Sequence, residues 1–181
     1  ASLFHGVARL AESLIGCMKR EAICKFCEAA PRHDENAYSM SICVLVIATV
    51  ESAIIRFHYL KEGLEFPPIS PFKWLGESFP SKKALADELA FCRGAILHNH
   101  LYELEQVIDG TNSTLKNIRK RSSSGEGKYE KLVDSATQKT TQLQINAIPS
   151  QIRMSDAILV LNASLEIIKT LESESNGRLS F

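Results

Sequence analysis

The feature that most constrains the fold is an almost continuous apolar run, Ile42 to Val50, which ends at Glu51. A helical pattern surrounds this run and extends from Tyr38 to about Lys61. A helix that is apolar on all sides belongs in the middle of a core. The β-branched residues would also suit a strand, but the apolar pattern continues past Glu51 for too long. Because a membrane-spanning helix needs about 18 apolar residues, we predict a buried central helix and no membrane segment.

Three further segments have the spacing of amphipathic helices, with apolar residues at every third or fourth position. The first covers residues 3–30, and Pro31 breaks its pattern. The next covers residues 81–108, and the last covers residues 157–171. Six residues of the last helix are expected to face the core: Ile158, Leu159, Leu161, Leu165, Ile168 and Leu171. The pattern predicts a mainly all-α fold, in which residues 1–181 form a single domain with a bundle of four to five helices.

Three stretches lack helical spacing. Residues 66–71 contain three prolines, which cannot continue a regular helix because proline lacks the backbone N–H. Residues 111–127 are polar and are predicted to form a mobile loop. In residues 140–153, apolar and polar residues alternate, which predicts at most a small β-hairpin.

Composition limits the partners and the compartment. The chain has 21 Lys and Arg residues and 21 Asp and Glu residues, so its net charge is zero and any polyanion site must be a local patch. The five cysteines are an odd number and lie within helical patterns, which favours reduced thiols and a cytoplasmic location. The first residues lack the basic and apolar regions of a signal peptide.

The helix predicted for residues 81–108 combines an apolar face with groups suited to chemistry. Arg93 and His100 fall within its apolar arc, whereas His98 lies roughly 60° beyond the edge. A buried guanidinium is costly unless it is paired, so one interpretation is structural: Arg93 pairs with a core carboxylate such as Glu51, and the histidines pack. The other interpretation is catalytic. Arginine suits phosphate oxygens, histidine exchanges protons near neutral pH, and together they suffice for RNA cleavage without a metal.

Arg93, four intervening residues and then His98, late in a helical domain, resemble the Arg-x4-6-His signature of the HEPN superfamily. The order of elements is also similar, with an apolar second helix that contains Glu51 and Arg56, a proline-rich loop and then the motif helix. The resemblance covers about residues 1–110. One departure is Gly94, because the superfamily usually has a polar residue directly after the arginine.

The resemblance implies a helical bundle that forms a homodimer through its motif helices. It implies a metal-independent endoribonuclease without cofactors, which leaves 2′,3′-cyclic phosphate and 5′-hydroxyl ends and acts as a toxin or in phage defence. An antitoxin of the nucleotidyltransferase type is a common partner in the superfamily. The implied catalytic residues are Arg93 and His98, and the supporting residues are Asn99, His100, Glu51 and Arg56. The alternative is a non-catalytic helical module that binds a partner protein or a nucleotide.

Weaker signals have ordinary explanations that we prefer. Cys24 and Cys27, with Cys17 and His33 nearby, have the residue types of metal ligands, but cysteines on an amphipathic helix behave as small apolar residues, so we expect no metal site. Trp74 is expected to cover the core rather than to stack on a base. The basic residues of the polar loop form either a solvated stretch or an arm that contacts RNA phosphates. These residues are Lys116, Arg119, Lys120 and Arg121.

Overall fold

The computed structural model describes residues 2–21, 30–63, 66–97, 102–109, 112–120, 131–134 and 136–179. Within these ranges the helices are α1 (Ser2–Glu21), α2 (Ala30–Glu62), α3 (Pro71–Ser78), α4 (Lys83–Leu97) and α5 (Met154–Glu174). The strands are β1 (Tyr102–Asp109), β2 (Asn112–Lys120), β3 (Val133–Asp134) and β4 (Lys139–Thr140). The prediction of a mainly all-α fold is therefore confirmed.

Helix α2 supplies the centre of the core, as the apolar run predicted. Its buried apolar side chains recur from Ile42 to Phe57, and the helix contacts α1, α3, α4 and α5. They include Ile42, Cys43, Val46, Ile47, Val50, Ala53, Ile54 and Phe57. The helix begins at Ala30 rather than near Tyr38. Pro31 lies in its first turn, where a missing N–H costs nothing, so the prediction that Pro31 breaks the helical pattern was wrong.

Contacts between helices fix their relative directions. Asn36, near the start of α2, donates hydrogen bonds to the carbonyls of Pro149 (2.7 Å) and Ile152 (2.9 Å), just before α5. The side chains near the ends of α2 and α5 line a common cavity, so these two helices run in the same direction. Lys82, directly before α4, forms an ion pair of 2.6 Å with Glu166 late in α5, so α4 runs in the opposite direction.

The start of α5 is held by buried and half-buried carboxylates. Asp156 accepts hydrogen bonds from the backbone N–H groups of Arg153 (2.8 Å) and Asn146 (2.9 Å). Glu35 of α2 accepts one of 3.0 Å from the N–H of Met154. Carboxylates at a helix N-terminus satisfy free N–H groups and offset its positive partial charge. The helix therefore begins three residues before the predicted start at Ala157.

The core-facing residues of α5 differ in part from the prediction. Ile168 and Leu171 are buried as expected, but Ile158 and Leu165 are exposed. The buried positions are Asp156, Ala157, Val160, Ala163, Ser164, Ile167, Ile168 and Leu171. Ile158 and Leu165 lie roughly 120–150° from the middle of this buried arc on the helix, so the prediction placed them on the wrong face.

The motif helix is much shorter than predicted. It ends at Leu97, and residues 102–109 and 112–120 form an antiparallel hairpin instead of a helical end and a mobile loop. Apolar and acidic residues alternate from Tyr102 to Glu105, which is the period of a strand. The following Asp-Gly pair is a strong hairpin turn signal. The hairpin contains a β-bulge: Glu105 lies opposite Asn117 and Gln106 lies opposite Leu115. Lys116 is therefore the extra residue of the bulge and has no opposite residue in the β1 register.

The hairpin predicted for residues 140–153 is displaced and shorter. Strand β3 pairs with β4, and a single bridge joins Lys139 to Asn146. The turn between the strands is stabilised by Asp134, whose carboxylate accepts hydrogen bonds from Thr137 (3.0 Å) and Ala136 (2.8 Å). These N–H groups, Thr137 first, lower the pKa of Asp134. Most of residues 140–153 form turns, because buried carboxylates rather than a partner strand satisfy several of their N–H groups.

Part of the proline-rich region is helical. Helix α3 begins at Pro71, and its Phe72 and Leu75 are buried. Trp74 contacts Phe57 (ring centroids 6.2 Å apart) and His58 (5.0 Å) of α2. Trp74 therefore packs against the core as predicted, although it lies on a helix rather than in a loop.

One helix segment among the described residues, Glu35–Glu62, has the length and composition needed to cross a membrane, and the mean hydropathy of its most apolar 18-residue stretch is 1.9. The core helix of a globular protein meets the same criteria. Half of the most apolar stretch of this segment is buried inside the bundle.

Candidate active site

Arg93 and Glu51 form an ion pair that connects the last turns of α4 to the middle of α2. Nη1 of Arg93 contacts Oε1 of Glu51. Arg93 follows the buried Cys92, so the packing of α4 against α2 places its side chain beside Glu51. The pairing named by the structural interpretation of Arg93 is therefore present in the molecule.

The ion pair does not remove Arg93 from solvent. The Arg93 side chain retains 36% of its exposed surface, whereas that of Glu51 retains 19%. A guanidinium has five N–H donors, and the contact with Glu51 uses Nη1. The arrangement therefore holds the arginine in one place and leaves donors that can bind the oxygens of an anion.

Gly94, next to Arg93, adjoins open space. A Cβ atom built on Gly94 would meet no atom within 4 Å. Close packing therefore does not explain why glycine occupies the position where the HEPN signature usually has a polar residue. A larger side chain fits there without moving a described neighbour.

His98, Asn99 and His100 lie outside the described residues, directly after the end of α4 at Leu97. The predicted angles between these residues and Arg93 assumed that the helix continues to residue 108. The helix does not continue to residue 108, because residues 102–109 form β1. The placement of His98 beyond the apolar arc and of His100 within it concerns residues outside the described ranges and stays a prediction.

The other predicted residues are not joined to the ion pair by a described contact. Arg56 is exposed on α2, five residues after Glu51. Lys116, Arg119 and Lys120 lie on β2 rather than in a loop, with Arg119 opposite Glu103 and Lys120 opposite Tyr102. Arg121 lies outside the described residues.

Sequence reasoning missed Glu88, which is fully buried on α4. Its carboxylate accepts hydrogen bonds from the N–H groups of Gln142 (2.7 Å) and Leu143 (2.8 Å) and from the hydroxyl of Thr141 (3.1 Å). Glu88 thereby attaches this turn to the helix that holds Arg93. The signal was available, because Glu88 has helical spacing with the buried Cys92 and Ala95.

Two buried thiols lie at the same helix contact as the ion pair. Cys43 of α2 and Cys92 of α4 are both free and buried. The contact with the Cys92 thiol, burial, and the nearby negative charge of Asp156 raise the pKa of Cys43 above its ordinary value of 9.0. A protonated, buried thiol is a poor nucleophile and a poor metal ligand, so this pair serves packing.

Among the residues that the structure describes, no three His, Cys, Asp or Glu side chains are grouped so that they can hold a metal ion. Cys24 and Cys27 lie outside the described residues, and the side chains of Cys17 and His33 are not described. The interpretation of these four residues as non-ligands therefore stays a prediction.

Comparisons of the chain with protein-family models, with curated proteins and with solved structures gave no match.

Proposed function

We propose that the chain is a metal-independent endoribonuclease of the HEPN type, in which Arg93 and His98 act on RNA at the interface of a homodimer. The observation that carries this proposal is the ion pair with Glu51, which holds a partly exposed guanidinium at a fixed place on the bundle. Such a group can bind phosphate oxygens without first losing side-chain freedom. His98 follows Arg93 after four residues and supplies a group that titrates near neutral pH.

The proposed reaction is an internal transfer at phosphorus. His98 accepts the proton of a ribose 2′-hydroxyl, and the resulting oxygen attacks the adjacent phosphorus atom. The bond from phosphorus to the 5′-oxygen breaks, and this oxygen leaves with a proton taken from the protonated imidazole of His98 or from water. Arg93 stabilises the negative charge on the phosphoryl oxygens, while Glu51 keeps Arg93 in position. The products are a 2′,3′-cyclic phosphate and a 5′-hydroxyl.

The proposal extends to partners and to cellular role. Phosphates of the bound RNA would be contacted by three basic residues of β2 and by the next residue in the chain. These residues are Lys116, Arg119, Lys120 and Arg121. Asn99, His100 and Arg56 would support the site. A cytoplasmic toxin or phage-defence nuclease, restrained by a nucleotidyltransferase-type antitoxin, is the role that the motif favours.

A non-catalytic module that binds a partner protein or a nucleotide is the second candidate function. Two observations favour it: Glu51 already offsets the charge of Arg93, and Gly94 contributes no polar side chain beside it. In that case the ion pair only fastens α4 to α2.

RNA cleavage by the purified chain separates the two candidates. The experiment follows an end-labelled RNA of mixed sequence, with and without EDTA. The parent, Arg93→Ala, His98→Ala and a control, Lys73→Ala, are compared; Lys73 is an exposed residue of α3. The parent and the control should cleave in EDTA and leave cyclic phosphate ends, and the two site variants should lose roughly 100-fold or more in rate. Folded parent that leaves the RNA intact would favour the binding module, and inhibition by EDTA would contradict the metal-free mechanism.

The proposed homodimer has its own test. Leu97, at the end of α4, is an exposed apolar residue, and two copies that met there would bring two Arg93 side chains to one cleft. Light scattering at micromolar concentration should give the mass of two chains. A monomeric parent that cleaves RNA would show that one chain holds a complete site.

A further inference from the structure

A cavity of about 350 Å³ lies where α2, α3 and α5 end. Its lining includes Lys61, which follows Glu51 by ten residues on α2, roughly 15 Å along the helix. The cavity is thus separate from the ion pair of the candidate active site. Its volume is within the range of small-molecule sites.

The inner part of the cavity is aromatic. Phe57 is buried, and its ring centroid lies 5.8 Å from that of Phe79, which also lines the cavity. Leu60 adds an apolar wall and keeps 40% of its surface exposed. A flat aromatic ring that covered Phe79 and Leu60 would remove apolar surface from water and could make a tilted contact with the ring of Phe79.

The rim of the cavity carries more positive than negative charge. Lys61 and Arg178 contribute two cations, and Glu174 contributes one carboxylate. No carboxylate of another described residue lies within ion-pair distance of Lys61 or Arg178. The carbonyls at the end of α5 already accept hydrogen bonds from residues 175–177, which offsets part of the negative partial charge of this helix end.

We propose that this cavity binds a small aromatic carboxylate. The ring would lie on Phe79 and Leu60, beside the buried Phe57, and the carboxylate would lie between Lys61 and Arg178, whose guanidinium can bind both oxygens of the ligand. Glu174 would repel the ligand weakly and favour compounds with a single negative charge. This site does not depend on the proposed RNA cleavage.

Calorimetric titration of the full chain with 2-naphthoate tests the proposal. We expect a Kd of roughly 0.1–1 mM, which corresponds to a modest binding free energy for each non-hydrogen atom of the ligand. The neutral 2-naphthamide, which has the same rings, should bind roughly fivefold more weakly, because it lacks the charge that Lys61 and Arg178 attract.

Variants of the charged residues at the rim should change the affinity for 2-naphthoate in opposite directions. The double variant Lys61→Gln/Arg178→Gln should bind 2-naphthoate roughly fivefold more weakly and bind 2-naphthamide as the parent does. Glu174→Gln should strengthen the binding of 2-naphthoate about twofold, and the control Lys73→Gln should change nothing. Circular dichroism would verify that each variant is folded. The proposal would be overturned if 2-naphthoate did not bind at concentrations of about 10 mM. It would also be overturned if the double variant bound 2-naphthoate as tightly as the parent does.

Discussion

The carboxylate of Glu88, which has no exposed surface, accepts a hydrogen bond of 2.7 Å from the backbone N–H of Gln142. These residues belong to segments that are 54 positions apart in the chain. The same carboxylate binds Leu143 and Thr141. One buried side chain therefore satisfies three donors of this turn and attaches it to α4.

Removal of the Glu88 carboxylate should be among the most damaging single changes. Glu88→Ala leaves the N–H groups of Gln142 and Leu143 without their acceptor, and we expect a loss of about 3 kcal/mol in the free energy of unfolding. Urea denaturation measures this loss. Hydrogen exchange should show faster exchange of the two amides. The control Glu77→Gln, on the exposed face of α3, should cost less than about 0.5 kcal/mol; a similar cost for both variants would contradict this role of Glu88.

The Glu51–Arg93 ion pair should contribute modestly to stability. Because the pair is only partly buried, we expect a coupling energy of about 1 kcal/mol from the double-mutant cycle of Glu51→Gln and Arg93→Gln. Urea denaturation of the parent, both single variants and the double variant gives this value. Additive effects of the two changes would show that the contact does not stabilise the fold.

Gly94 offers a way to add a side chain without a steric cost. Gly94→Ala should stabilise the protein by about 0.5–1 kcal/mol, because alanine favours the helix and nothing lies within 4 Å of its Cβ position. If the chain cleaves RNA as proposed, Gly94→Asn should cleave faster than Gly94→Ala, since it restores the polar residue of the HEPN signature. Thermal denaturation and cleavage rates are the measurements. Destabilisation by Gly94→Ala would contradict the open space described here.

The Cys43 thiol should make stability depend on alkaline pH. Its pKa in the folded chain is raised above the ordinary 9.0, so above that pH the unfolded chain releases a proton that the folded chain retains. The stabilisation is complete below pH 9 and is lost as pH rises, by up to about 1.4 kcal/mol per pH unit. Urea denaturation from pH 8 to pH 10 should therefore show a steeper decline for the parent than for Cys43→Ala. Parallel declines would indicate a normal thiol.

The core could be predicted from sequence because its signal is strong and local. The run from Ile42 to Val50 has too many apolar residues for a surface helix, and Trp74 follows the ordinary rule that large aromatic residues pack. The apolar residues of 102–109 also fit helical spacing, and the sequence therefore predicts a helix there. The residues instead form a strand, in keeping with the alternation from Tyr102 to Glu105, and this strand pairs with β2. Strand formation depends on the partner strand, which cannot be identified from the sequence of one segment.

The candidate site could be predicted in part, because some of its signals are also local. The arginine motif and the carboxylate of Glu51 are visible as residue types, and the structure brings Arg93 and Glu51 together. The role of Glu88 depends on a turn more than fifty residues away. Helical spacing with Cys92 and Ala95 indicates that Glu88 is buried, but no local pattern specifies which donors its carboxylate binds.

The hydrogen bond between Glu35 and Met154 joins residues 119 positions apart, and it has a consequence for folding during synthesis. At usual rates of about 5–20 residues per second, α2 leaves the ribosome several seconds or more before α5 has been made. Through that interval the apolar side of α2 that α5 covers must be shielded by α1, by non-native collapse or by a chaperone. Contacts between helices that are far apart in the sequence, such as α2 and α5, also slow folding. Refolding of the chain should accordingly be slower than for helical bundles whose neighbouring helices are adjacent in sequence, and its early intermediate should expose apolar surface.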